Sequence, residues 1–260
     1  MTVTTPQAGL AFDDGERIGV LLLDGAPANV LTVDLLREVT TGLDRFEARE
    51  GRVLVIGSAL EGIFASGGDV DHVSRTDANG FVAYMQAIRE LLDRLAGLSC
   101  PTIAAIDGAA LGGGLELALA CVLRVASEDA LLGMPQVKLG TIPVAGGTQR
   151  LPRIVGHGKA LDLLVTGRTV GCEEAYAIGL IDRRAPGGQA MDVAMDLARG
   201  IAAGSEPAVS AVRRAAAAAI GGSFPQGMAV EAREALALFE HGEAQEGFAA
   251  FRDKRPPNFA

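Results

Sequence analysis

The sequence predicts an α/β core built from stacked similar units, on three observations. Short apolar, β-branched runs recur at residues 19–23, 52–56 and 102–106. A break follows each run, and a helical pattern follows each break. The strand-then-helix units recur at intervals of about 35 to 50 residues, as a repeated supersecondary unit would.

Taken in order, the first run leads to LTVDLLREVTTGLDRF, where Leu35, Leu36, Val39, Leu43 and Phe46 share one helical face and Thr32 or Asp34 can cap the start. The second run leads through a glycine loop to a helix marked by Phe81, Tyr84, Met85, Ile88, Leu91, Leu92 and Leu95. The third leads directly to a helix beginning near Gly114. From about residue 159 the strand signals thin out, and segments 189–203, 206–220 and 225–241 read as helices. Small side chains at Ala215 to Ala219 permit close packing. A last amphipathic segment, EAQEGFAAFRDK, is stopped by Pro256 and Pro257. These patterns divide the chain softly near residue 195, into an α/β core (1–195) and a helical region (196–260) suited to oligomerisation or to a lid.

Composition narrows the function. A chain of 260 residues with 49% hydrophobic content can bury a large core. With 23 basic against 32 acidic residues the net charge is −9, and no basic stripe exists to attract a nucleic-acid backbone. The most apolar region, residues 100–123, is interrupted by Pro101, Asp107, three successive glycines and Glu116, so it is too broken to span a membrane. The N-terminus lacks the basic start and apolar stretch of a secretory signal, and the expected location is the cytoplasm. Cys100, Cys121 and Cys172 read as buried free thiols. With His72, His157 and His241 scattered, no metal site is expected.

Two glycine loops are candidates for chemistry: IFASGGDV at 63–70 and ALGGGLELA at 110–118. Glycines allow close backbone approach and positive φ, and a loop that opens a helix presents free N–H groups at the positive end of its dipole. Two such loops facing one another can each aim a donor at one carbonyl oxygen. Turns between strands and helices are also often glycine-rich, so each loop alone is weak evidence. ASGGD is no nucleophile elbow, because GxSxG needs glycine where Phe64 stands. ALGGGLELA lacks the third glycine of GxGxxG, and no phosphate-loop lysine follows either loop. Glu116, in the first turn of the third helix, is either dipole compensation or a general base beside the donors.

The ordered set FASGGD, PTIAAIDGAALGGGLELALAC, MPQVKLGTIPVAGGTQRLPRIVG, LLVTGR, AYAIGLID and EGFAAFRDKRPPNF resembles the crotonase superfamily, most closely its enoyl-CoA hydratases, from about residue 15 onward. The resemblance implies a spiral of stacked ββα units with a helical C-terminal trimerisation region, assembled as a homotrimer or a dimer of trimers. It implies an acyl-CoA substrate and no cofactor beyond the coenzyme A of that substrate. The Gly68 and Gly113 amides would polarise the thioester carbonyl, Ser66 and Gly67 would line the coenzyme path, and Phe251 and Lys254 would cover the coenzyme from a neighbouring subunit.

Hydratases of this superfamily hold the reacting water between two glutamates. The first matches Glu116 and the second matches Gln136. Glutamine can hold a water but cannot supply a proton or accept one as a carboxylate does. This departure fits a hydratase with impaired turnover, an isomerase or thioester hydrolase using Glu116 alone, or a non-catalytic acyl-CoA-binding subunit. It also fits a glutamate exchanged deliberately to trap a ligand. Gly62 and Asp71 stand where relatives often place basic residues for the coenzyme phosphates, which leaves Lys254 and an arginine such as Arg75 for that role, or points to a carrier-protein thioester. Residues 140–151 read as a supporting pocket wall, with Thr148 capping the helix after Gly146 and Gly147. Lys138 reads as packing or a surface ion pair, and the apolar residues of the helix over 81–95 as a border of the acyl pocket or, equally, as plain helix core.

Overall fold

The computed structural model describes residues 9–259. Among the described residues, the first elements are β1 (Leu10–Asp13), β2 (Ile18–Leu23), β3 (Val30–Leu31) and α1 (Val33–Ala48). A second turn follows: β4 (Val53–Ser58), β5 (Ile63–Ala65), β6 (Gly67–Gly68), α2 (Val70–Arg75) and α3 (Ala78–Gly97). The third is β7 (Thr102–Ile106), β8 (Ala109–Leu111) and α4 (Gly113–Ala120). The fourth is β9 (Leu123–Ser127), β10 (Leu131–Gly133), a 3-10 turn (Pro135–Leu139), α5 (Gly147–Val155) and α6 (His157–Thr166). Next come β11 (Thr169–Gly171), α7 (Cys172–Ala177) and β12 (Arg183–Ala185). The helical end is α8 (Ala190–Ala202), α9 (Glu206–Ala217), α10 (Phe224–His241) and α11 (Ala244–Asp253).

From the second turn to the fourth, each turn sends one strand to a large sheet and the next to a smaller one, whereas the first gives β1 and β2 to the large sheet. The large sheet runs β1-β2-β4-β7-β9-β12, parallel from β2 onward, and the smaller runs β11-β10-β8-β5. Like strands of successive turns lie parallel, so the chain advances as a coil of ββα layers. A third, two-stranded pairing joins β3 to β6, with Val30 opposite Gly67 and Leu31 opposite Gly68.

The large sheet is covered on both faces, which explains why VLVI and the IAAI of β7 are unbroken apolar runs and not alternating ones. One face packs with the second sheet and α1, α3 and α4 around Leu21, Leu43, Phe46, Phe64, Leu92 and Ile106. The other, through Ile18, Val53, Val55, Ile103 and Val125, meets Ala190, Ala194, Ala198 and Ala202 of α8. Those alanines recur every four residues and form one helical stripe. Residue 195, where the sequence pattern changes, therefore lies inside a helix seated on the sheet. Beyond α8, Arg213 of α9 donates to the carbonyls of Leu98 and Cys100, and Glu206 pairs with Arg17 at 3.0 Å.

Three readings change. A strand, β8, intervenes between β7 and the helix beginning at Gly113. β11 and β12 lie beyond residue 159, each too short to show a period. Gly146, at φ 100°, precedes α5 where Thr148 was expected to cap it, and the Thr148 hydroxyl instead accepts from Gln149 Nε2 at 3.2 Å. Thr32 does cap α1, accepting from the Leu35 amide at 3.2 Å. Among the described residues no helix is long and apolar enough to cross a membrane.

Candidate active site

The two glycine loops meet. Gly67 has φ 116°, and a Cβ there would lie 3.0 Å from the Leu111 carbonyl oxygen, so only glycine lets β6 run beside the end of β8. A Cβ on Gly113 would lie 3.3 Å from the Gly68 nitrogen, so the backbone at Gly68 and the first residue of α4 are neighbours across two turns of the coil. The opening amides of a helix have no intrahelical acceptor and sit at its positive end. Gly114 completes the fit: a Cβ there would lie 2.1 Å from the Ala65 carbonyl oxygen.

Glu116 occupies the first turn of α4 and is 2% exposed. Its Oε1 accepts from the amides of Ala145 (2.7 Å), on the strip between the 3-10 turn and α5, and of Gly147 (2.8 Å), the first residue of α5. Burial raises its pKa above the ordinary glutamate value. The Gly147 and Ala145 amides, then Arg150 and Arg89, offset part of that rise. Both arginines also hold the strip itself. Arg89 Nε donates to the Val144 carbonyl at 2.5 Å, and Arg150 donates to the Ala145 carbonyl at 2.7 Å and to Asp93 at 2.6 Å. The segment expected to be a wall thus supplies the amides that orient the carboxylate.

Gln136 lies in the 3-10 turn, which Gly140 ends in a left-handed conformation. A Cβ on Gly112 would lie 3.4 Å from Gln136 Nε2, so this side chain reaches the same glycine loop. Its Oε1 is buried and accepts no hydrogen bond from the described residues. A buried carbonyl oxygen of this kind has capacity for a donor. The structure therefore brings together Gly68, Gly113, Glu116 and Gln136. Ser66 and Gly67 lie on the same loop, the Ser66 amide donating to the Ala28 carbonyl at 3.1 Å.

Phe251 and Lys254 are elsewhere in the chain, on and just after α11, and Phe251 is 86% exposed. Lys138 packs against Gly167, where an added Cβ would lie 3.2 Å from the lysine Cε. Gly62, Asp71 and Arg75 are exposed. The three cysteines are free and buried. Burial pushes the thiols of Cys100 and Cys121 up to about 11 and about 12, so neither is a ready nucleophile. Among the described residues no three His, Cys, Asp or Glu side chains are grouped as metal ligands.

Tyr84 and Asn29 are parts of the site framework that sequence patterning did not single out. Tyr84 reads as helix core by its spacing. Asn29 shows only as a polar residue near Pro27, yet it is fully buried at φ 48° and bonded to Gly25, Ser58 and Phe64.

The family profile for enoyl-CoA hydratase/isomerase matches residues 14–260. The chain belongs to the enoyl-CoA hydratase/isomerase family. Among relatives in that family, mouse mitochondrial methylglutaconyl-CoA hydratase is 38% identical over 244 residues, covering 89% of this chain and 75% of the mouse protein. A probable enoyl-CoA hydratase of Bacillus subtilis is 36% identical, covering 93% of this chain and 95% of that one. The crystal structure of an enoyl-CoA hydratase from Bacillus anthracis superposes with a TM-score of 0.89 at 33% identity, covering 94% of this chain and 95% of that one. The α/β coil of this chain is the enoyl-CoA hydratase/isomerase fold.

Proposed function

We propose that this family member hydrates an α,β-unsaturated acyl-CoA thioester, with Glu116 as its one proton carrier. The observation that carries the reading is the buried Glu116, oriented by two amides, on the helix that Gly113 opens beside Gly68. In this reading the Gly68 and Gly113 amides bind the thioester oxygen. Water oxygen bonds to the β-carbon while Glu116 takes a proton from the water, and the electrons of the α,β double bond form an enolate whose charge lies on the thioester carbonyl oxygen. Glu116 then returns the proton to the α-carbon, so the reaction balances with one water and one carboxylate. A carboxyl whose pKa burial has raised suits both halves of that exchange. Each donor to the developing oxyanion is worth about 3 to 4 kcal/mol in comparable sites.

Gln136 has the role of orienting the water through its unpaired Oε1. Ser66 and Gly67 line the coenzyme path, and Phe251 and Lys254 of a neighbouring copy cover the coenzyme in a homotrimer or dimer of trimers. Light scattering that returned a monomer at micromolar concentration would remove that last role. The expected location is the cytoplasm, and the reaction requires no further cofactor.

Hydration of crotonyl-CoA and of methylglutaconyl-CoA, followed by loss of the conjugated absorbance, tests the reading in the parent protein and in Gln136→Glu. A faster variant, by about 10² to 10⁴, identifies a hydratase site that lacks its second carboxylate. Equal inactivity of both with thioester bound rejects hydration. The second reading, double-bond isomerisation or thioester hydrolysis by Glu116 alone, is favoured by the absence of a titratable group at position 136. Mass distinguishes the products, because hydration adds one water, isomerisation adds nothing and hydrolysis frees coenzyme A. Saturable binding with no turnover of any thioester would leave a binding subunit.

A further inference from the structure

We infer that the Tyr84 hydroxyl is a positioning group for the Gly68 amide, and so sets how strongly the site polarises a bound thioester. This rests on the reading of Gly68 as an oxyanion donor. The tyrosine projects from α3, and its ring is buried with Ile88, Leu91 and Leu92 of the same helix in the main core. Its hydroxyl leaves that core and joins β3 to Asp69, the residue between β6 and α2. It donates to the Leu31 carbonyl at 2.7 Å and accepts from the Asp69 amide at 2.7 Å.

Those two residues bracket the glycine. Leu31 stands opposite Gly68 in the β3–β6 pairing, and Asp69 follows it. A Cβ on Gly68 would lie 3.3 Å from the Tyr84 hydroxyl oxygen, so the hydroxyl rests against the backbone it would orient. Two successive glycines, Gly67 and Gly68, give this stretch unusual backbone freedom. The pairing with Val30 and Leu31 limits it on one side, and the tyrosine fixes the peptide on the other. Burial raises the Tyr84 pKa, which keeps the proton on the hydroxyl and the donor to Leu31 intact. Packing alone requires only the ring, and phenylalanine would serve it equally well.

The test is Tyr84→Phe, assayed by steady-state kinetics and by the absorption band of bound cinnamoyl-CoA, which moves to longer wavelength when its carbonyl is polarised. The expected result is a kcat lower by about 10- to 100-fold with KM changed little, and a smaller red shift of the bound thioester. A variant with parent kcat and the parent red shift, whatever its melting temperature, overturns the inference. If Tyr84→Phe does not fold, fluorotyrosine is incorporated in a Tyr176→Phe background, which alters the hydroxyl and leaves its shape. An altered red shift then supports the inference and an unaltered one overturns it. Should the parent protein bind cinnamoyl-CoA with no red shift, or not bind it, the oxyanion reading of Gly68 fails, and the role of Tyr84 fails with it.

Discussion

Arg89 and Glu116 are joined through a single peptide unit. The arginine donates to the Val144 carbonyl at 2.5 Å, and the N–H of the same unit, on Ala145, donates to Glu116 Oε1 at 2.7 Å. Polarisation of the peptide by the guanidinium strengthens the bond on its far side. The positive charge also favours the ionised carboxylate directly. Arg89→Met therefore moves the Glu116 pKa further up. The acidic limb of the kcat/KM profile, where activity needs the carboxylate, shifts to higher pH, and the variant loses more activity near pH 6 than near pH 8. An unmoved limb would show that Arg89 only holds the loop.

Glu116→Gln separates activity from stability. The amide oxygen can still accept from Ala145 and Gly147, so the geometry survives while proton transfer is lost, and turnover falls by about 10² to 10⁴. Because the folded-state pKa is raised, the parent protein holds its full stability below the unfolded-state pKa of glutamate and loses part of it as pH rises through the folded value. The variant has no such loss. Thermal melts of the two should coincide near pH 4 and diverge as pH rises, with the inactive variant melting a few degrees higher at neutral pH.

Asn29→Ala tests the framework beneath the first glycine loop. The side chain accepts from the Gly25 amide at 2.7 Å and donates to Ser58 at 2.8 Å and to the Phe64 carbonyl at 2.9 Å. Truncation leaves buried polar groups unpaired and places alanine at φ 48°. The expected cost is about 3 to 4 kcal/mol in chemical denaturation.

Gly114→Ala tests the seat of α4. Its methyl group would lie 2.1 Å from the Ala65 carbonyl oxygen, a backbone atom with no rotamer to yield. The helix must retreat from β5. Stability falls by about 2 to 3 kcal/mol, and turnover falls with it because Gly113 and Glu116 ride on the same helix. A variant that melts with the parent would refute the packing.

Legibility in the sequence followed burial and length. β4 and β7 are covered on both faces and read as apolar runs, and α1 and α3 show one apolar stripe each. β5, β8, β10, β11 and β12 have three residues each, too few for alternation, and β12 begins with two exposed arginines. In the site, Gly68, Gly113, Glu116 and Gln136 could be selected because residue type and loop position mark them. Arg89 and Tyr84 could not. Their contacts cross 55 and 53 residues of sequence, to Val144 and Leu31, and nothing local distinguishes them from ordinary helix residues.

Gly68 comes from the second turn of the coil, Gly113 and Glu116 from its third, and Gln136 with the Ala145 and Gly147 amides from its fourth. Each turn is a separate cassette. Under the proposed function, a residue exchanged at the fourth alters how protons are handled while the second and third keep their hold on the thioester carbonyl, so the chemistry of such a scaffold is editable one layer at a time.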